Sequence, residues 1–259
     1  ACRVKASWIT ECMSSTGLRL LETLSYLVLA SGAVALALIR PDSGVGDGVD
    51  LYGTYWFYWW VKHCLFTGTD PGFTDLMFHP LGKDIFAHTG SNFIDALFSV
   101  PFQTVFGYPY FQPWFVLAVL LGNAYSFRYL MRGLLKSPYA VWGATVLWLI
   151  NPYVLFEIQT GRITQAFLCF LPLAFACFLR VDREGNKSAI WAGVWTALQA
   201  WTYWFMGWFM ALAFGWIAYT QWREHTGHRM KLVKHWVVAG LACLIVISPA
   251  LWAMNDLVA

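Results

Sequence analysis

Charge is what this sequence has least of. Of its 259 residues only 12% are Asp, Glu, Lys or Arg, about half the share usual in a soluble domain. So few ionised side chains cannot cover a water-facing surface of that size, which excludes a soluble globular enzyme and a disordered chain. A nucleic-acid binder is excluded as well: it needs a clustered basic face, and the formal net charge is only +3. Paired cysteines are also missing. Cys2, Cys12, Cys64, Cys169, Cys177 and Cys243 include no C-x-x-C spacing, and three lie in apolar runs, where a free thiol behaves as a small hydrophobe. No G-x-x-x-x-G-K-[ST] phosphate loop, H-E-x-x-H zinc helix or G-x-S-x-G nucleophile turn is present, so the chemistries they carry are unsupported. What remains is apolar, 59% hydrophobic and 19% aromatic, the composition of an integral membrane protein.

A spanning helix needs about 20 mostly apolar residues. Runs at 20–39, 114–135, 139–155, 163–179 and 232–254 meet or approach that length. The stretch 188–222 has no charged residue and is too long for one crossing, so a turn at Trp204-Phe205-Met206-Gly207 divides it in two. The fold expected is all-α: a polytopic transmembrane helix bundle of about seven spans over 20–259, after a short tail, 1–19. Ala35-Leu36-Ala37 resembles a signal-peptide cleavage site, but the later runs need the first one as their anchor.

Residues 41–92 interrupt the pattern. They hold six of the fourteen acids (Asp42, Asp47, Asp50, Asp70, Asp75, Asp84), against Lys62 and Lys83, with Gly and Pro turn signals throughout. Inside this stretch 51–66 is dense in Trp and Tyr, which favour the headgroup level. It reads as a helix lying on the membrane within one large outer loop. The run 93–107 is short, with Asp95 at its start and Pro101 inside, and suits a re-entrant or surface helix. Thirteen of the seventeen Lys and Arg then fall on one side, leaving Arg40, Lys62, Lys83 and Arg162 on the other. By the positive-inside rule that places the N-terminus in the cytoplasm.

The outer side therefore gathers the residues capable of chemistry. Asp47 and Asp50, in Gly46-Asp47-Gly48-Val49-Asp50, would share one face of a helical turn. Two readings stay open for them: a carboxylate pair that binds a cation or takes a proton, or an N-cap for the aromatic helix. His79 and Lys83, in His79-Pro80-Leu81-Gly82-Lys83-Asp84, with His88 beyond, offer donors to a phosphate or form an ordinary solvated turn. Glu157, Arg162 and Gln165 stand at the mouth of two spans, where polar groups are functional candidates. Arg162 suits bidentate phosphate contact or snorkels to headgroups. His225, His228 and His235 read as interfacial. The scarcity of acids within the spans from Tyr139 onward weighs against an ion-coupled pump.

The order of these pieces resembles the GT-C superfamily, polytopic glycosyltransferases that use lipid-linked sugar donors. The matching elements are the run 20–39, Gly46–Asp50 with the aromatic helix after it, His79-Pro80-Leu81-Gly82, Asn123-Ala124-Tyr125, and Asn151-Pro152 followed by Gly161-Arg162 and Gln165 before the Pro172 span. The resemblance covers nearly the whole chain with degenerate motifs. It implies transfer of a sugar from a polyprenyl-phosphate carrier to an acceptor on the outer face of a bacterial inner membrane. It also implies membrane lipid as a partner and no nucleic acid. The family's acid in the first outer loop, general base or metal ligand, corresponds by position to Asp47, with Asp50 second; a divalent cation, Mg2+ or Mn2+, is the cofactor it allows. Arg162, His79 and Lys83 are the positional candidates for the donor-phosphate contacts the resemblance implies, with Glu157 and Gln165 beside them. Family members are longer, so an N-terminal fragment is expected. A lipid or polysaccharide transporter and a non-catalytic assembly subunit are the alternatives.

Overall fold

The computed structural model describes residues 15–40, 44–86, 93–224, 227 and 229–255. Cys2, Cys12, Asp42, His88, His225 and His228, the tail before Ser15 and the chain from Asp256 lie outside the described residues. The chain folds into helices, as the apolar runs predict. In order they are α1 (Ser15–Ile39), α2 (Asp50–Thr67), α3 (Phe93–Phe106), α4 (Gln112–Leu134), α5 (Pro138–Leu149), α6 (Pro152–Gln159), α7 (Ile163–Ala166), α8 (Phe170–Phe178), α9 (Val181–Glu184), α10 (Asn186–Thr202), α11 (Trp204–Glu224) and α12 (Arg229–Asn255). A two-residue antiparallel hairpin, β1 (Phe73–Thr74) with β2 (Lys83–Asp84), pairs Phe73 with Asp84 and Thr74 with Lys83.

Four segments are long and apolar enough to cross a membrane: Gly17–Ile39, Gln112–Leu134, Pro138–Gln159 and Arg229–Ala253. The third joins α5 and α6 across the break at Asn151, whose side chain accepts from the Tyr153 N–H to start α6. α10, with 17 residues, is just short, and α11 is rich in Trp and Tyr, which depress its hydropathy. α3, at 14 residues, rises only about 21 Å, short of the hydrocarbon core.

The helices alternate in direction. Glu22 of α1 meets Arg128 of α4, whose Nε donates to the Glu22 carboxylate at 2.9 Å, and Trp142 of α5 donates to Ser25. α1 is therefore antiparallel to α4 and parallel to α5–α6. α10 runs back along α8, with Ser188 bonded to the Cys177 carbonyl and Gln199 to the Phe167 carbonyl. α11 descends from Gly207 beside Ala200 to Gln221 beside Trp236. α12 rises along α10, bringing Ala239 to Gly193 and grouping Ala250 with Ala197 and Ala200.

In lipid, close backbone approach drives helix packing more than apolar burial does. On α1 the inward stripe is Tyr26, Ala30, Val34 and Ala37, while Leu20, Val28, Leu36 and Ile39 are exposed. At Gly193 an added Cβ would lie 2.1 Å from the Ala239 carbonyl oxygen, so only glycine allows that approach. The run 163–179 is broken between α7 and α8, and two buried amides satisfy its freed backbone groups. Asn123 donates to the Ala166 carbonyl at 2.8 Å and accepts from the Leu168 N–H at 3.0 Å. Gln199 donates to the Phe167 carbonyl at 2.8 Å and accepts from the Leu171 N–H at 3.1 Å. The division of 188–222 falls at Tyr203, one residue before the tetrapeptide the sequence suggests.

Candidate functional site

Two segments single out the site. Asp47 N–H donates to the Gln159 carbonyl at 3.0 Å, joining Gly46–Asp50 to the stretch 158–162. Glycine makes this contact possible. A Cβ on Gly48 would lie 2.1 Å from the Thr160 carbonyl oxygen, and one on Gly161, whose φ is +78°, would lie 2.6 Å from Leu51 Cβ. The first acidic motif of the loop and the Arg-bearing turn after α6 thus form one backbone unit.

The junction divides two cavities. One, of about 410 Å3, is lined by Asp50, Thr54, Trp56 and Tyr58 of α2, Met77 and Lys83 of the hairpin, Arg162, Thr164 and Gln165 around α7, and Tyr203. The other, of about 500 Å3, lies against α1 and carries Asp47 and Gln159 among apolar Val34, Leu36, Ala37, Leu155 and Ile158. Asp47 and Asp50 therefore serve different cavities rather than one shared face. The reason is the backbone: Gly46, at φ +92°, and the turn closed by Leu51 N–H on the Gly48 carbonyl separate the two side chains. The N-cap reading is not realised either. The cap position falls on Val49, with no side-chain cap bond, and Asp50 is the first helical residue. Its charge near the N-terminus still suits the dipole.

Arg162 is held on three sides. Its Nε lies 2.6 Å from Glu157 Oε2, its Nη1 lies 3.9 Å from Asp50 Oδ2, and its guanidinium stacks on Phe156 at 5.5 Å. Glu157 is only 4% exposed, and the Arg162 N–H also binds its carbonyl at 2.8 Å. The Nε–carboxylate contact lacks the alignment of a hydrogen bond, so it acts as an ion pair. Glu157 thereby occupies the Nε side, while the other end of the guanidinium looks towards Asp50 and the cavity. Such a fork presents parallel N–H donors to a phosphate or carboxylate. Lys83, the second cation of the cavity, sits 5.1 Å over the Phe78 ring.

Of the residues predicted from the sequence, Asp50, Lys83, Arg162 and Gln165 line one cavity and Glu157 supports it from behind. Asp47 belongs to the neighbouring cavity. His79 is exposed and not in the lining, in a turn closed by Leu81 N–H on the Phe78 carbonyl at 2.9 Å. Sequence reasoning missed Asp95 as a site residue. Fully buried in α3, it accepts from Thr164 Oγ1 at 2.6 Å and from the Tyr58 hydroxyl at 2.7 Å. Desolvation pushes its carboxyl up to about 7, against the opposing pull of those hydrogen bonds. The signal was an acid with apolar neighbours on both sides, Phe93-Ile94-Asp95-Ala96-Leu97.

The cofactor the resemblance allows is a divalent cation on Asp47 and Asp50. Those two acids face separate cavities, and Asp50 shares its own with two cations, Arg162 and Lys83. Among the described residues no three His, Cys, Asp or Glu side chains converge. That donor set does not fit a hard cation, which takes six or more oxygens. What the cavity can do without it is bind an anion against an aromatic and apolar wall, beside one carboxylate.

No family model, curated protein or solved structure matches this chain.

Proposed function

We propose that the protein is an integral membrane glycosyltransferase that moves a sugar from a polyprenyl-phosphate donor to an acceptor on the outer face of a bacterial inner membrane. In this reading the loop end of the bundle is extracytoplasmic and the N-terminus cytoplasmic. The passes through α7–α8, α10 and α11 join the four long apolar segments to make seven spans.

The observation that carries the reading is the composition of the 410 Å3 cavity: Arg162 and Lys83 for a phosphate, Trp56 and Tyr203 for a sugar or isoprenoid face, and Asp50 at the rim. Arg162 receives the donor phosphate on the end of its guanidinium that faces Asp50. At 3.9 Å that contact is loose and yields to a bidentate anion, whereas Glu157 stays in place and keeps the fork aimed. Asp50 then accepts a hydrogen bond from a hydroxyl of the bound donor sugar and orients that sugar for transfer. The leaving group departs as a phosphate held by two cations, the charge-stabilising arrangement that accelerates such transfers. Asp47 takes no part at this cavity.

The test is transfer by the reconstituted protein from polyprenyl-phosphate sugars, with Arg162→Ala and Asp50→Asn beside the wild type. Transfer lost in both variants supports the reading. Transfer retained in both removes it, and lipid movement across the bilayer without transfer would favour a transporter.

A further inference from the structure

One carboxyl beside the cavity has no part in the function proposed above. Asp95 lies in the first turn of α3 with no exposed surface. Its Oδ2 accepts from Thr164 Oγ1 and from the Tyr58 hydroxyl, and both of those residues line the cavity while Asp95 does not. Its Oδ1 is buried without a hydrogen-bond partner. An ionised carboxylate spreads its charge over both oxygens, and the nearby backbone N–H groups of Asp95 and Ala96, which favour the charged form, do not offset its desolvation. Taking up a proton relieves the penalty.

The surroundings of Asp95 leave this balance to burial and hydrogen bonding. From α2 the titratable group facing it is Tyr58, and Lys62 is engaged with the Gln103 carbonyl at 3.3 Å. From α7 the neighbour is Thr164. Arg162 and Asp50 line the cavity, on the far side of the two hydroxyls. Among the described residues no ionised side chain acts on Asp95; desolvation dominates. Asp50 differs: it stands exposed at the rim.

We propose that Thr164 and Asp95 form a proton relay for the acceptor hydroxyl, Thr164 touching the substrate and Asp95 acting as the positioning residue that holds the proton. The inference rests on the transferase reading. In the step, the acceptor oxygen bonds the anomeric carbon while the bond from that carbon to the phosphate oxygen breaks, and the phosphate leaves with the electron pair. The acceptor proton passes to Thr164 Oγ1 as the Thr164 proton passes to Asp95 Oδ2. Asp95 ends neutral, and its negative charge has in effect moved to the phosphate beside Arg162 and Lys83.

Thr164→Val removes the relay while keeping side-chain shape, and Asp95→Asn removes the proton site; thermal melting checks that each variant folds. Both are assayed in lipid nanodiscs with polyprenyl-phosphate sugars from about pH 5 to pH 9, together with infrared spectroscopy of protonated carboxyls. The wild type is expected to gain kcat as pH rises through about 7. Each variant should lose about 100-fold in kcat or more with KM little changed. D95N should also lose the acid limb, and Asp95→Glu should restore part of it. Tyr58→Phe should move the limb to higher pH, because one donor to the charged form is gone. The infrared arm does not depend on transfer: a carboxyl band should titrate near 7 in the wild type, shift in T164V and vanish in D95N. Wild-type kcat and an intact acid limb in T164V, or transfer without the titrating band, overturn the relay alone. No transfer by the wild type overturns the transferase reading, and the relay's role with it.

Discussion

Arg162 Nε lies 2.6 Å from Glu157 Oε2, and that carboxylate is almost completely buried. The pair decides which end of the guanidinium faces the cavity and fixes the turn between α6 and α7. Asp50, by contrast, meets the same guanidinium from an exposed position at 3.9 Å. One acid is structural support and the other is exchangeable.

Stability should separate these roles. Arg162→Ala leaves the Glu157 carboxylate buried and unpaired, a change that costs at most about 3 kcal/mol here, because Arg162 is partly exposed. Asp50→Ala should cost roughly 0.5 kcal/mol or less, as exposed pairs do. Thermal melting in detergent should show a clear fall in Tm for the first variant and little change for the second.

Glycine at the loop junction should be indispensable. Gly48→Ala places a methyl 2.1 Å from the Thr160 carbonyl oxygen, backbone that has no soft side chain to yield. The expected loss is about 1–3 kcal/mol. Anion binding at Arg162 should weaken with it, since the same junction positions α7. Calorimetric titration with a polyprenyl phosphate checks the second effect and melting the first.

Asn123 and Gln199 should count for more than ordinary buried amides. Asn123→Ala frees the Ala166 carbonyl and the Leu168 N–H at once, at about 1–3 kcal/mol for each group left unsatisfied. Gln199→Ala frees the Phe167 carbonyl, while the Leu171 N–H keeps its bond to the Leu168 carbonyl at 3.2 Å. Because the two amides stitch one break, the double variant should deviate from additivity, which a double-mutant cycle on Tm measures.

Asp95 should make stability depend on pH with a defined sign. Its carboxyl is raised from 3.8 to about 7 in the fold, so the native state holds the proton more tightly than the unfolded chain does. That contribution is fully present below the unfolded value and is lost as pH rises towards about 7 and through it. Wild-type Tm should therefore fall between about pH 4 and pH 8 by more than that of Asp95→Asn, which removes the titration. Equal slopes for the two proteins would contradict this.

The apolar runs were legible because length and hydropathy dictate them, and four long apolar segments are present. The break at Asn151-Pro152 and the turn near Trp204 were also signalled locally, the first by a proline and the second by excess length. The tie between Gly46–Asp50 and Gly161-Arg162 was less visible, because it is a contact across more than a hundred residues made by backbone groups and by the absence of Cβ atoms. Spacing in sequence suggested that Asp47 and Asp50 act together. The turn at Gly46 and Gly48 sends them to different cavities instead, which no periodicity argument can foresee. Asp95 was hidden for another reason: at the start of a short helix it looks like a first-turn acid, and only the packing of α2 and α7 around it reveals the two hydroxyls.

The most direct measurement is sugar transfer from a polyprenyl-phosphate donor by the protein reconstituted in lipid, comparing the wild type with Arg162→Ala and Asp47→Asn. Transfer by the wild type, its loss in Arg162→Ala and its retention in Asp47→Asn are the predicted results. Transfer that survives Arg162→Ala, or that depends on Asp47 alone, would contradict the assignment of the reaction to the cavity of Asp50, Lys83 and Arg162.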